Sequence, residues 1–141
     1  MAEFTTEFPF FTEGLSALVA VTGTTWSDDP TTPVAGTAQV RLEEPNAPAG
    51  QYIFGFAATV DVAGTGTNAE VRFSLDGGVN WHPEDYAVAA ITLGNPNMFM
   101  GHSFPKSHAG GALDIVLQFK RSGTNDVMNV SFADITFTRV A

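Results

Sequence analysis

The sequence predicts an all-β chain, a single antiparallel β-sandwich behind an extended N-terminal arm. Three observations predict it. Residues 15–140 read as short runs of Val, Ile, Leu, Phe and Thr split by Gly, Pro, Asn and Asp, which is strand composition punctuated by turn composition. No stretch holds a helical period for long. Ala69, Val71, Phe73 and Leu75 alternate with Glu70, Arg72 and Ser74, the period of two that turns one side of a strand to a core. The 141 residues are the length of one domain. A domain of that size buries about two-thirds of its unfolded surface and needs neither disulfide nor metal to fold.

The elements follow in order. Residues 1–13 set Phe4, Phe8, Phe10 and Phe11 among Glu3, Glu7 and Glu13, and Pro9 forbids a helix there. This is the arm, and residues 14–141 are the sandwich. Leu15 to Thr22 is the first strand, followed by a loop from Gly23 to Ala35 that carries Asp28, Asp29, Pro30 and Pro33. Thr37 to Leu42 alternates with period two, and Glu43 to Gly50, with two prolines and an asparagine, reads as a loop. Gln51 to Val62 is the longest strand: Tyr52, Phe54, Phe56 and Ala58 share one side, with Ile53 and Ala57 opposite, so both faces read as at least half-buried. Asp76-Gly77-Gly78 is a tight turn, and Val79 to His82 leaves it. Strands follow at Tyr86 to Leu93, Met98 to Phe104, Leu113 to Lys120 and Val127 to Val140. In the last, the apolar phase of Val130 and Phe132 breaks at Asp134 and resumes one residue out of step at Ile135 and Phe137, which predicts a bulge or bend. Eight or nine strands result, with turn signals at the spacing of a sandwich or jelly roll.

Composition narrows the function. The net charge is −9, from 15 acids against six bases, and an acidic chain repels phosphate backbones, so no nucleic-acid partner is expected. Zero cysteines excludes thiolate chemistry and a disulfide framework, and fits folding in a reducing cytosol. The chain opens on an acidic residue where a secretory signal would be basic. Its longest apolar stretch, Leu15 to Val21, is too short for a bilayer, so no membrane partner is expected. Only 15% of residues are charged, and 12 are phenylalanine, which suggests a surface partly covered in its working state.

Candidate chemistry is sparse. Ser74-Leu75-Asp76-Gly77-Gly78-Val79-Asn80-Trp81 matches the Asp-box pattern Ser-x-Asp-x-Gly-x-x-Trp. There the Asp bonds turn amides, the Gly takes positive φ and the Trp packs beneath the turn. A glycosidase reading would require several blades and a cluster of arginines, whereas Arg41, Arg72, Arg121 and Arg139 are scattered over different strands. His82, His102 and His108 lack zinc-ligand spacing. The pairs Asp28-Asp29, Glu43-Glu44 and Glu84-Asp85 read as solvated turn residues, with a loop calcium site as the other reading. No nucleophile elbow or phosphate-cradling glycine loop occurs. The expectation is therefore no enzyme, no catalytic residue, no cofactor and no metal. Trp26 and Tyr86 remain as candidates for stacking on a sugar.

The arm argues for a partner. Exposed aromatic rings invite aggregation, so a tail with no ordered role would be polar. Burying four rings falls short of the entropy of fixing their backbone, so an ordered arm also needs hydrogen bonds, most simply by adding a strand to a sheet edge. Phe4, Phe8, Phe10 and Phe11 are therefore expected on a neighbouring subunit or host surface. The other reading folds them back as an extra strand on this chain's own sandwich.

Three segments carry a resemblance. Gly50-Gln51-Tyr52-Ile53-Phe54 resembles a strand entry of trimeric jelly rolls of tumour-necrosis-factor-like shape. The hairpin Arg72-Phe73-Ser74-Leu75-Asp76-Gly77-Gly78 and the closing run Val130-Ser131-Phe132-Ala133-Asp134-Ile135-Thr136-Phe137-Thr138-Arg139-Val140 complete it. The whole chain resembles small jelly-roll virion proteins of tailed bacteriophages, the head decoration or cement proteins, although the Asp-box turn departs from a plain jelly roll. The resemblance implies a homotrimer made in the bacterial host cytoplasm, bound through its arm to the major capsid protein on the outer capsid surface, where it stabilises the shell. The alternative is a carbohydrate- or receptor-binding module of a tail fibre or tail tip, using Trp26 and Tyr86. A small hydrolase or lyase stands third, for want of a placed acid–base pair.

Overall fold

The computed structural model describes residues 10–15, 19–62, 68–89, 98–123 and 128–141, with the side chains of 10–15, 19, 62, 68, 82–89 and 98 outside that description. Nine strands build it: β1 (Phe10–Leu15), β2 (Val19–Val21), β3 (Ala38–Ala47), β4 (Gly50–Val62), β5 (Asn68–Ser74), β6 (His82–Ala89), β7 (Met98–His108), β8 (Gly111–Arg121) and β9 (Met128–Arg139). They form two sheets with every strand pairing antiparallel. Sheet A runs β1-β9-β4-β7, with β2 also on β9, and sheet B runs β3-β8-β5-β6. That interleaving, with β3 to β4 and β8 to β9 crossing between sheets, is the order of a jelly roll whose first position is shared by β1 and β2.

The core lies between the sheets and follows the alternation. Ala69, Val71, Phe73 and Leu75 are buried, as are Tyr52, Phe54, Phe56, Ala58 and Val60 of β4. Ile115, Leu117 and Phe119 of β8 meet Ile135 and Phe137 of β9 in the same cluster. Tyr52, Phe54 and Phe137 stack with centroids 5.6–5.8 Å apart, near enough for aromatic geometry to add to burial. The Tyr52 hydroxyl escapes the core by donating to the Pro48 carbonyl at 2.7 Å.

Several expectations change. Of the strand expected from Leu15 to Thr22, Leu15 belongs to β1 and Val19–Val21 to β2, with 16–18 outside the described residues, and residues 13 and 14 lie together in β1. β1 lies antiparallel on β9, with Phe10 opposite Thr138 and Phe11 opposite Phe137. β3 does not stop at Leu42. It continues to Ala47 across Pro45, which lacks a donor, because a register shift between Glu44 and Ala47 leaves Pro45 and Asn46 out of the ladder with β8. Ile53 stands on the outer side of β4 at 45% exposure, with Ala57 less exposed beside it, so that side is about half-covered without being a second core face. The bulge in β9 is real, but it sits before Asp134: Thr59 pairs with Phe132 and Val60 with Val130, so Ser131 is the extra residue. The slip turns Phe132 outward and Ala133 inward.

Candidate functional site

Over β5 and β8 the outer face of sheet B is covered by the chain itself. The loop from β2 to β3 is shaped by Asp29, whose carboxylate accepts from the Thr31 amide at 2.9 Å, the Thr31 hydroxyl at 2.6 Å and the Thr32 hydroxyl at 2.8 Å. Those bonds favour the ionised form and hold its pKa at about 2. The loop lays Trp26 and Ser27 over outward residues of β5 and β8. Arg72, expected on a solvent face, is 7% exposed. Its Nε donates to Gln118 Oε1 at 3.0 Å and its terminal nitrogen to the Ser27 carbonyl at 2.7 Å. The guanidinium stands 3.7 Å from the centroid of Trp81 and 4.7 Å from that of Trp26. Gln118 is buried too, and donates to Ser27 and to Gln39. Lys120 pairs with Glu70 and lies 4.9 Å from the Trp26 ring. Trp26 is thus part of this cover rather than a bare stacking platform, and the Tyr86 side chain lies outside the described residues.

The Asp-box segment is the structural hairpin its pattern predicts. Ser74 Oγ donates to Asp76 Oδ1 at 2.8 Å and accepts from the Gly78 amide at 2.9 Å. Asp76 accepts from the amide and side chain of Asn80 at 2.8 and 2.6 Å. Burial pushes the Asp76 carboxyl up, but the bonds from Asn80, Ser74 and Val79 together outweigh it and hold it below the usual carboxylate range. Gly77 and Gly78 take φ of 68° and 90°, and a Cβ on Gly78 would stand 3.2 Å from Trp81, so the indole packs against the turn. Arg41 is held by Asp114 in a two-point pair at 2.8 Å, and Arg121 donates to the Thr22 carbonyl at 3.0 Å. These two and Arg72 keep separate partners, so no arginine cluster forms from them.

The outer face of sheet A is bare by contrast. The register of β9, β4 and β7 sets it out in rows. Phe132, Thr59 and Phe99 form one, Asp134, Ala57 and Gly101 the next, then Thr136, Gly55 and Ser103, then Thr138, Ile53 and Pro105. Large residues frame small ones, which leaves a groove of about 470 Å³ across the middle. Phe99 is 71% exposed and Phe132 42%. The Phe99 ring leans over Gly101, where a Cβ would meet it at 3.4 Å. β1 extends the rows past β9, with Gly14 opposite Asp134, Thr12 opposite Thr136 and Phe10 opposite Thr138. Phe4 and Phe8 lie outside the described residues, and for Phe10 and Phe11 only the backbone is described. Sequence reasoning missed Phe99 and Phe132. The signal for the first was Met98-Phe99-Met100, an apolar run with no alternation.

Among the described residues, no three His, Asp or Glu side chains converge in an arrangement that could hold a metal ion, and no helix is long and apolar enough to cross a membrane. His102 and His108 lie apart on β7, in contact with Phe104 and Tyr52 respectively.

No protein-family model matches the chain, and no curated protein matches it in sequence. Solved structures share the fold. Latent PorU from Porphyromonas gingivalis superimposes with a TM-score of 0.53 at 10% identity, over 94% of this chain and 13% of that one. The VP2 subviral particle of infectious bursal disease virus gives 0.47 at 12% identity, over 96% and 38%. The C-terminal CBM6 of LamC from Zobellia galactanivorans gives 0.40 at 13% identity, over 91% and 99%. The chain therefore spans well under two-thirds of the first two, and at these identities the likeness concerns the β-sandwich alone.

Proposed function

We propose that this chain is a non-enzymatic adhesive protein of a virus particle, a head decoration protein of a tailed bacteriophage, working as a trimer on the major capsid protein. One observation carries the adhesive part: the outer face of sheet A presents Phe99, Phe132 and Ile53 to solvent around a floor of glycine and alanine. Burying a phenyl ring contributes about 1.5–3 kcal/mol, and a face of this kind on a soluble domain marks a contact with another protein. The backbone of Phe10 and Phe11 is paired with this chain's own β9, as the fold-back reading of the arm has it for those two residues. Phe10 stands at the end of the row that holds Ile53; Phe4 and Phe8 lie outside the described residues, and the proposal adds them to the same adhesive surface. Each contact is weak, and many copies on one shell sum by avidity. The phage assignment itself rests on the segments described under the sequence.

The test is co-sedimentation of the full chain with capsid shells assembled without it, beside a chain lacking residues 1–9. The proposal expects the full chain in the pellet and the shortened chain in the supernatant. Equal recovery of both removes the arm from the mechanism, and failure of the full chain to bind overturns the decoration role.

A further inference from the structure

A cleft at one end of the sandwich, separate from the bare face and independent of the decoration role, has the make-up of a ligand site. It holds about 520 Å³ between the Asp76 turn and the β7–β8 connection, within the range of small-molecule sites. Its floor is apolar, made by Phe54, Leu75 and Leu113. Trp81 forms a wall: Arg72 covers one face of the indole, and the half-exposed remainder lines the cleft.

The rim carries donors and acceptors side by side. Asn80 gives its amide proton to Asp76 Oδ2, which leaves Asn80 Oδ1 as an acceptor. Ser107 Oγ accepts from Gln51 Nε2 at 2.5 Å and keeps its own proton to donate. His108 Nε2 lies 3.3 Å from the Gly111 carbonyl. A carbonyl only accepts, so Nε2 is the donor in that contact. Lys106 is exposed at the same rim and brings further donors. A phosphate brings mainly acceptor oxygens, which Asn80 Oδ1 and the Asp76 carboxylate at the rim do not satisfy, and it would also enter against the charge of a −9 chain. A hydroxyl gives and accepts at once, and a pyranose ring carries several around an apolar face suited to an indole and an apolar floor. We infer that this cleft binds a saccharide unit, with Trp81 as the stacking surface and Asn80, Lys106, Ser107 and His108 as hydroxyl partners.

The test is a ¹⁵N correlation titration of the full chain with maltotriose, cellotriose and chitotriose in turn, and with inorganic phosphate. The two indole N–H signals make it internally controlled. At least one trisaccharide should move the Trp81 indole and the amides of Asn80, Lys106 and Ser107 while leaving the Trp26 indole still. Lys106→Ala, a surface change, should weaken that binding about tenfold at unchanged melting temperature. The inference is overturned if none of the three moves these signals at millimolar concentration, if phosphate moves them as strongly, if the Trp26 indole moves with them, or if Lys106→Ala binds like the wild type.

Discussion

The two outer faces of this sandwich are finished in opposite ways. On sheet B, charged and amide side chains that a period-two reading assigns to solvent are roofed by the β2–β3 loop, and Arg72 ends up more deeply buried than Ile53 on the other sheet. On sheet A, apolar side chains of β4, β7 and β9 stand in water around a glycine floor. Polarity along a strand records which side faces away from the core. It does not record whether something else lies on that side. The polar cover over β5 and β8 is made within one chain, whereas the apolar face is, under the proposed function, the one that another molecule covers.

That contrast can be broken in four ways. The largest expected effect is on the covered face. Arg72→Ala leaves Gln118 Oε1 without the Arg72 donor, takes one of two donors from the Ser27 carbonyl and removes the cation from both indoles, which costs about 3 kcal/mol of stability. The melting temperature should fall by roughly 10 °C, read by calorimetry. Gly36→Ala follows. This loop glycine holds φ of 85°, and a Cβ there would meet the Gly23 amide nitrogen at 2.7 Å. Strain of this kind costs about 1–3 kcal/mol, and chemical denaturation should show the loss. On the bare face the same ruler should barely move: Phe99→Ser changes stability by less than about 0.5 kcal/mol, yet co-sedimentation with capsid shells should fall. A loss of stability as large as that of Arg72→Ala would place Phe99 in the fold rather than in an interface.

The smallest effect belongs to pH. Asp29 has a folded pKa of about 2 against 3.8 for the unbonded group. The folded state therefore binds this proton less readily than the unfolded state, and the bond set stabilises the loop above pH 3.8. That contribution is lost as pH falls toward 2. Asp29→Asn should flatten the acid limb of the melting curve over that window, with its loss of stability read above pH 3.8 and little difference from the wild type left near pH 2.

The sandwich was legible because its signals are local. Alternation in β5 named four buried residues, the Asp-box spacing named a turn with two positive-φ glycines, and a broken phase in β9 announced a bulge. What was not legible depends on distance. Arg72 is buried by Ser27, 45 residues earlier, and no pattern within β5 announces that roof. Pro45 reads as a breaker until a register shift gives it a place outside the ladder. The candidate surfaces fared less well. Trp26 looked available from composition and is engaged by Arg72 and Lys120, whereas Lys106 and His108 come to Trp81 only through the pairing of distant strands.

The central claim is that the bare face of sheet A is the surface through which the chain attaches to its neighbours. Phe99→Glu tests it most directly, by replacing the most exposed ring at the rim of that face with a charge without touching the core. With an unchanged melting temperature, the substituted chain should stay in the supernatant when capsid shells carry the wild-type chain into the pellet. If both chains pellet alike, the face is not the attachment surface.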